Sequence, residues 1–598
     1  MKSDLLSRRD LDFLLFEWLR IDELTKRERF AEHSRETFAD VLDLCEQLAT
    51  RYFATHNKES DAHEPTFDGT RVTVIPQVKQ ALDAFAKADL LSISMDHELG
   101  GAQLPTTVTG AGFAWFQAAN ISTSGYPMLT LANANLLAKY ATRQQIDAFV
   151  KPMLAGRFSG TMCLSETQAG SSLADIVTRA EPREDGTYRL FGSKMWISGG
   201  DHELTDNIIH LVLAKIPGGP PGTKGISLFI VPRFLVDANG AVGERNDVVL
   251  AGLNHKMGMR GITNTVLNFG EGRFRPGGEA GAVGYLVGEP HRGIAYMFHM
   301  MNEARLGVGM GAVALGYTGY LKSLEYARER PQGRPVTAKD PSTPQIPIIE
   351  HPDVKRMLLA QKSYVEGALA LALYCGRLVD IQHSADSDDE FDSATLLLDI
   401  LTPVAKSWPS QWCLEANSLA IQVHGGYGYT REYDVEQHYR DNRLNPIHEG
   451  THGIQSLDLL GRKVVQRNGA SLMVMNSAVN DNVSAAKALG GELAVLAAQL
   501  DSTWQRLVAV TAAMFGSGDV EAALANSVVY LETFGHIAIA WMWLEQMCAA
   551  HGQTGDFYDG KRQAGRYFFR YELPKTTPQL DLLESLDRTT LDMRSNWF

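Results

Sequence analysis

The five residues His448, Glu449, Gly450, Thr451 and His452 admit two chemistries. They fit the pattern H-E-x-x-H, in which two histidines on one helical face bind zinc and the glutamate is the general base. They also fit a single working carboxylate, Glu449, presented by a Gly-Thr turn, with the histidines incidental. Zinc needs a regular helix and a third ligand. Gly450 and Gly453 weaken a helix here and Pro446 lies just upstream, so the single-carboxylate reading is favoured and no metal is expected. A second stretch, GVGMGA at 307–312, matches the dinucleotide fingerprint letter for letter. That fingerprint requires a strand before it and an acidic residue on a second strand after it, and the sequence on both sides is helical in pattern. Its small residues are read instead as the place where two helices approach closely.

The elements that must position Glu449 follow from periodicity. Residues 1–160 show helical spacing of apolar positions, as in Phe38, Val41, Leu42 and Leu48, and form an N-terminal helical domain. Between 161 and 285 the texture changes to short β-type runs, such as NIIHLVLAK and GISLFIVP, separated by Gly- and Pro-rich turns. This predicts a middle, mostly antiparallel β domain without helical crossovers. Helical spacing returns over 286–465, a C-terminal helical bundle that carries Glu449, interrupted by the proline-rich stretch 330–352. An Ala-, Leu- and Met-rich block, 466–598, is an appended helical domain. The fold class is therefore α+β and multidomain.

Bulk properties exclude several functions. At 598 residues the chain exceeds a single core, and its formal charge of -14 argues against binding nucleic acid. The five cysteines are scattered without a C-x-x-C pair, which fits a reducing cytoplasm. The first residues break their apolar positions with charges, so an amphipathic helix is expected rather than a secretory leader. No run approaches about 18 consecutive apolar residues, so no integral membrane segment is expected.

The flanks of Glu449 add a resemblance. QVHGGYGYTREYDVEQHYRDNRLNPIHEGTHGIQ, 422–455, resembles the signature of the acyl-CoA dehydrogenase family. Two further family-like blocks stand upstream in the same order: MCLSETQAGSS (162–172) with KMWISGG (194–200), and MMNEARLGVGMGAVALGYTGYLKSLEYARER (300–330). The resemblance covers about 40–465 and implies an FAD enzyme that oxidises the Cα–Cβ bond of a fatty acyl-CoA thioester. In it, Glu449 matches the base that takes the α proton while the β hydrogen leaves as hydride. Burial in an apolar pocket would strengthen such a base. Its backbone N–H would bind the thioester carbonyl, and Gly450 and Thr451 would make the turn, with Thr451 also at the cofactor.

For FAD the resemblance implies Leu164, Ser165, Ser171, Trp196 and Ser198 from the β domain. It implies Arg330, Gln422 and Gly426 for the adenine half, held across a subunit boundary. At least a homodimer is therefore expected, and a tetramer is compatible. Asn302 and Arg305 match substrate contacts. Some relatives carry the base on the earlier helix just before the arginine. Here that position is Ala304, and Glu303, about 200° around the helix from Arg305, is read as an ordinary helix charge. Gly307 and Gly309 follow on a helix that should line the acyl tunnel, which leaves room for a medium or long chain.

His448 in place of the usual tyrosine, Gly453, and RPQGR without its phenylalanine depart from the family pattern. With the appended block they resemble the larger bacterial branch, which includes broad-range fatty acyl-CoA and methylmercaptopropionyl-CoA dehydrogenases. The resemblance implies an electron-transfer flavoprotein as partner. An acyl-CoA oxidase, 3-methylmercaptopropionyl-CoA as substrate, and a DNA-binding flavoprotein are the alternatives.

Overall fold

The computed structural model describes residues 3–237, 239–338 and 340–598. Helices dominate before Phe158, strands between Phe158 and Leu286, and helices again from Gly293 onward. The chain forms two compact units, one of Ala39–Leu104 with Trp115–Gly307 and one of Met1–Phe38, Pro105–Ala114 and Val308–Phe598.

The first unit contains helix α1 (Ile121–Tyr140), two short two-stranded ribbons and one eight-stranded sheet, whose strands are β1 (Phe158–Cys163), β2 (Arg179–Pro182), β3 (Tyr188–Ser198), β4 (Asn207–Lys215), β5 (Ile226–Pro232), β6 (Val248–Leu253), β7 (Asn264–Phe269) and β8 (Ala282–Leu286). Their order is β6-β7-β3-β8-β5-β4-β1, with β2 beside β3 and β4. Pairing is antiparallel except for β1 with β4 and a single β2–β4 bridge. β4 and β5 read as continuous apolar runs because both of their faces are covered. On one face Leu136 and Leu137 of α1 join Phe158, Ile209, Leu211, Leu228, Met297 and Met300 in a common core. Asn133 of α1 donates to Thr161 O and Ile209 O (3.1 and 2.9 Å), tying the helix to β1 and β4.

Helix α2 (Gly293–Glu329) begins in this unit and continues in the second, where it is joined by α3 (Pro352–Ser384), α4 (Asp388–His424) and α5 (His452–Asp458). The small residues of GVGMGA serve packing. A Cβ at Gly309 would lie 2.0 Å from Ala405 O of α4, and one at Gly316 would lie 2.8 Å from Cys413 Cβ. Buried asparagines continue the seam: Asn417 donates to Leu315 O (2.9 Å) and Asn442 to Ala312 O (3.2 Å). The acyl-tunnel reading of Gly309 is thereby corrected, because α4 backbone takes the space its missing side chain leaves. Gly307 differs, since a Cβ there would meet only Met128 Sδ at 3.4 Å.

The proline-rich stretch folds back on itself, with Gln332 N–H donating to Ile346 O (3.0 Å) and Ile348 N–H to Arg330 O (2.8 Å). The expected N-terminal helix is a short α-helix, Arg8–Asp12, widening into a π-turn, Phe13–Trp18, with Phe13, Leu14 and Leu15 fully buried. Helices α6 (Ser527–Ala549) and α7 (Asp556–Tyr567) belong to the appended block. α6 has the length and hydropathy of a membrane span, but 83% of that window is buried inside the protein, as in the central helix of a bundle. A buried ion cluster joins the parts of this unit: Lys561 of α7 reaches Glu366 of α3 (2.9 Å), Gln546 of α6 (2.9 Å) and Asp10.

Candidate functional site

The site residues of the β unit lie on two segments far apart in sequence. The loop after β1 closes on itself through reciprocal backbone bonds between Glu166 and Ala169, each 3.0 Å. Glu166 then turns inward, where its carboxylate accepts from Val177 N (2.7 Å), Thr178 N (3.0 Å), Thr178 Oγ1 (2.5 Å) and Lys194 Nζ (2.9 Å). Lys194 also donates to Leu164 O (2.9 Å), and Met195 N–H donates to Ser165 O (3.0 Å). The 162–172 and 194–200 blocks thus form one assembly around a pair whose side chains are 0% and 2% exposed. Burial alone would raise the Glu166 carboxyl, but Lys194, Thr178 and Val177 outweigh it and hold it at about 2. Burial pushes the Lys194 ammonium down from its ordinary value while Glu166 opposes this, and the four donors above, with Gln168 Nε2 (2.8 Å) as a fifth, keep the pair ionised.

On this assembly Trp196 has φ 67, a left-handed conformation rare for a bulky residue, and the residue is 58% exposed. An exposed tryptophan held in a strained backbone is a signature of a binding surface rather than of packing. Ser198 Oγ accepts from Asn264 Nδ2 (3.2 Å), and Ser171 is exposed on the loop. Backbone and hydroxyl groups at Leu164, Ser165 and Ser198 beside an open aromatic face fit a flat heteroaromatic ring with polar edges. On α2, Arg305 is buried and Asn302 half-buried. Glu303 accepts from Asn135 Nδ2 (2.5 Å), and desolvation raises its carboxyl to about 7 although solvent still reaches it. Exposed and bonded to Asn135, it is the helix charge expected from sequence, with a raised carboxyl as the one added feature.

In the second unit, HEGTH is a turn and not a helix. His448 precedes the helix and bonds Asn445 Oδ1 (3.0 Å), whereas His452 opens α5 and bonds Ser407 Oγ (2.9 Å). The two rings do not share a helical face, so the zinc geometry fails. Burial, then the charge of Lys406, lowers His448 to about 3 and His452 to about 4, which leaves both neutral at pH 7. Glu449 has φ 52 and Gly450 φ 90. Gly450 tolerates this value, and a Cβ there would meet Gln455 Nε2 at 2.5 Å. Thr451 caps α5, its hydroxyl accepting from Ile454 N (3.3 Å). The turn is tied down by Gln455 Nε2, which donates to Glu449 O (3.0 Å), and by Lys406 Nζ, which donates to Gly450 O (2.7 Å).

Elsewhere in this unit a cavity of about 460 Å³ is lined by Tyr326, Arg330, Gln332, His424, Gly426 and Tyr427, among others. A Cβ on Gly425 or Gly426 would meet no described atom within 4 Å. Tyr326 and His424 stack at 4.4 Å and Arg330 lies 5.6 Å from the centre of the Tyr427 ring. Aromatic faces, a cation and open glycine backbone fit a nucleotide. Gln422 lies exposed on the last turn of α4 without lining this cavity. Sequence reasoning missed Glu166, Lys194, Lys406, Asn445 and Gln455. Lys406 had a signal, a lone cation in the apolar helical run ILTPVAKSW, since a lysine is rarely buried without partners to hold it. The Glu166–Lys194 pairing had none.

Comparison with known proteins assigns these features to a family. Three descriptions match: "Acyl-CoA dehydrogenase, middle domain" over 161–271, "Acyl-CoA dehydrogenase, C-terminal domain" over 291–465 and "Acetyl-CoA dehydrogenase C-terminal like" over 474–594. The chain is 34% identical to 3-methylmercaptopropionyl-CoA dehydrogenase of Ruegeria pomeroyi, covering 92% of each protein. It is 33% identical to the broad-specificity linear acyl-CoA dehydrogenase FadE5 of Mycobacterium tuberculosis, covering 98% of each. Its fold is similar to that of the acyl-CoA dehydrogenase complexed with FAD from Bacillus anthracis, with a TM-score of 0.74 at 19% identity, over 92% of this chain and 88% of that one.

Proposed function

Because the chain belongs to the acyl-CoA dehydrogenase family of FAD-dependent oxidoreductases, we propose that it converts a straight-chain fatty acyl-CoA of medium to long chain into the trans-2-enoyl-CoA. FAD, when bound, supplies the acceptor for the β hydrogen and its two electrons. Glu449 takes the α proton on its carboxylate, and its own backbone N–H donates to the thioester carbonyl where negative charge develops. Gly450, Asn302 and Arg305 position the thioester and its pantetheine arm. Leu164, Ser165, Ser171, Trp196, Ser198 and Thr451 hold the cofactor ring and pyrophosphate. Arg330, Gln422 and Gly426 hold the adenine half of a second copy's FAD, which makes a homodimer the working unit. An electron-transfer flavoprotein in the cytoplasm then removes the electrons.

The observation that carries this reading is the backbone at Glu449. A charged residue at φ 52, its own carbonyl bonded by Gln455 and the next one by Lys406, carries both the carboxylate and the N–H that the reaction needs on one braced residue. Strain of that kind persists where the site uses it. The similarity to 3-methylmercaptopropionyl-CoA dehydrogenase, at 34% identity, favours that short thioether substrate as the second reading.

The test is an anaerobic absorbance titration of FAD-loaded protein with saturated acyl-CoAs of increasing length and with 3-methylmercaptopropionyl-CoA. One class of substrate bleaches the flavin band, and Glu449→Gln slows bleaching by about 10²–10⁴-fold. Absence of bleaching with every thioester, or an unchanged rate in Glu449→Gln, rejects the proposal.

A further inference from the structure

Beside Gln455, one buried lysine ties down the turn that presents Glu449. Lys406 lies within α4 and is 0% exposed. Its ammonium donates to Asn445 O (2.7 Å) and to Gly450 O (2.7 Å), one carbonyl before Glu449 in sequence and one after it. The next residue of α4, Ser407, bonds the ring of His452 (2.9 Å). Asn445 Oδ1 in turn accepts from His448 Nε2 (3.0 Å), and Asn445 Nδ2 donates to Asn442 Oδ1 (2.9 Å). Adjacent residues of one rigid helix therefore grip the base turn on both sides.

A neutral amide could make the same two bonds, but it would carry no charge. The Lys406 charge acts on both histidines of the turn, His448 directly before Glu449 and His452 three residues after it, and the carboxylate between them gains from a cation. The ionisable groups coupled to the turn are Lys406 on α4, Arg443 after the Val435–Asn442 helix, His448 in the turn and His452 on α5. Burial, followed by Lys406, keeps both histidines neutral at pH 7, and Arg443 is exposed. Lys406 is thus the buried positive charge of this group.

We infer that Lys406 is a positioning residue for Glu449: it clamps the base turn at both ends and favours the ionised base through its charge. The inference rests on Glu449 being the base. It concerns the proton-transfer step, in which the α C–H bond breaks, the proton passes to the carboxylate and the electron pair stays on the thioester as its enolate.

That step can be read without oxidation by using an acyl-CoA with sulfur in place of the β carbon, which has no β hydride to give. Exchange of its α hydrogen for deuterium in D2O is followed by mass spectrometry with FAD-loaded wild type, Lys406→Gln, Lys406→Met and Glu449→Gln. Lys406→Gln retains a donor without charge, and it should shift the pH midpoint of exchange upward. Lys406→Met loses charge and tether, and exchange at saturation should fall about 100-fold with FAD stoichiometry and the half-saturating thioester concentration little changed. Exchange in Lys406→Gln with the wild-type rate and pH midpoint overturns the inference, as does a drop in either variant that only tracks lost FAD. Wild-type exchange in Glu449→Gln instead rejects the base assignment itself, which separates the two failures.

Discussion

Replacing Glu166 by glutamine should loosen the whole cofactor-side assembly, because this one carboxylate joins β1's loop to β3. Its pKa of about 2, against an ordinary 4.5, corresponds to about 3 kcal/mol in favour of the folded state at neutral pH. The sign is that of a depressed carboxylate: the contribution is complete above about pH 4.5 and is lost as pH falls toward 2. Glutamine also leaves the Lys194 ammonium, 0% exposed, without its counter-charge, and breaking a buried pair typically costs about 3–5 kcal/mol. The two figures describe the same interaction and do not add. Glu166→Gln and Lys194→Met should each destabilise by about 3 kcal/mol. The double variant buries no unpaired charge, so it should lose about 2 kcal/mol less than the two singles together. The assay is urea unfolding at pH 7, followed by flavin fluorescence as the cofactor is released and by circular dichroism. Single losses below about 1 kcal/mol, or a double variant equal to the sum, would refute the argument that this pair welds the two segments.

Three other consequences can be measured directly. His202, His210, His438 and His448 are held at about 3, chiefly by burial, while an unfolded histidine titrates near 6.5. The unfolded chain therefore binds more protons at these four histidines below about pH 6.5, which outweighs the opposite contribution of raised carboxyls such as Glu303 at about 7 and Asp380 at about 6, so unfolding midpoints should fall from pH 7 to pH 5. Gly309→Ala places a Cβ 2.0 Å from Ala405 O and should cost about 1–3 kcal/mol in thermal unfolding. Gly110→Ala, in helix Thr106–Ala119 with no described atom within 4 Å of a new Cβ, should be neutral or stabilising by up to about 1 kcal/mol. Lys561→Met leaves Asp10 and Glu366 buried without their shared cation, and the loss of about 3–5 kcal/mol should appear as faster proteolysis of the first residues and of α7.

What could be read from sequence were the local patterns and the motif blocks. The change from 3.6-residue to 2-residue apolar spacing and back marks helix, strand and helix, because each backbone geometry imposes its own period on the buried face. The turn at Glu449 was legible too, since Gly450 argues against the helix a zinc site needs, although Gly453, read the same way, lies inside α5. The use of Gly309 and the raised carboxyl of Glu303 were not legible. Whether a glycine clears a ligand or a neighbouring helix depends on which helix lies opposite, and Ala405 stands far along the chain. Glu303 lies three residues after Met300 in a periodic helix, yet desolvation raises its carboxyl, and its bond to Asn135 of α1, which pulls the other way, depends on packing.

The amino-acid sequence by itself thus determined which residues could do the chemistry, because motif spacing and local propensity are properties of neighbours along the chain. Tertiary structure alone decided how those residues are held. Glu166 finds Lys194, and Lys406 finds the two carbonyls around Glu449, only once separate elements pack. Buried charge forces such pairing, since an ion taken out of water must find its partners in space, and nothing in the linear order of residues specifies which they will be.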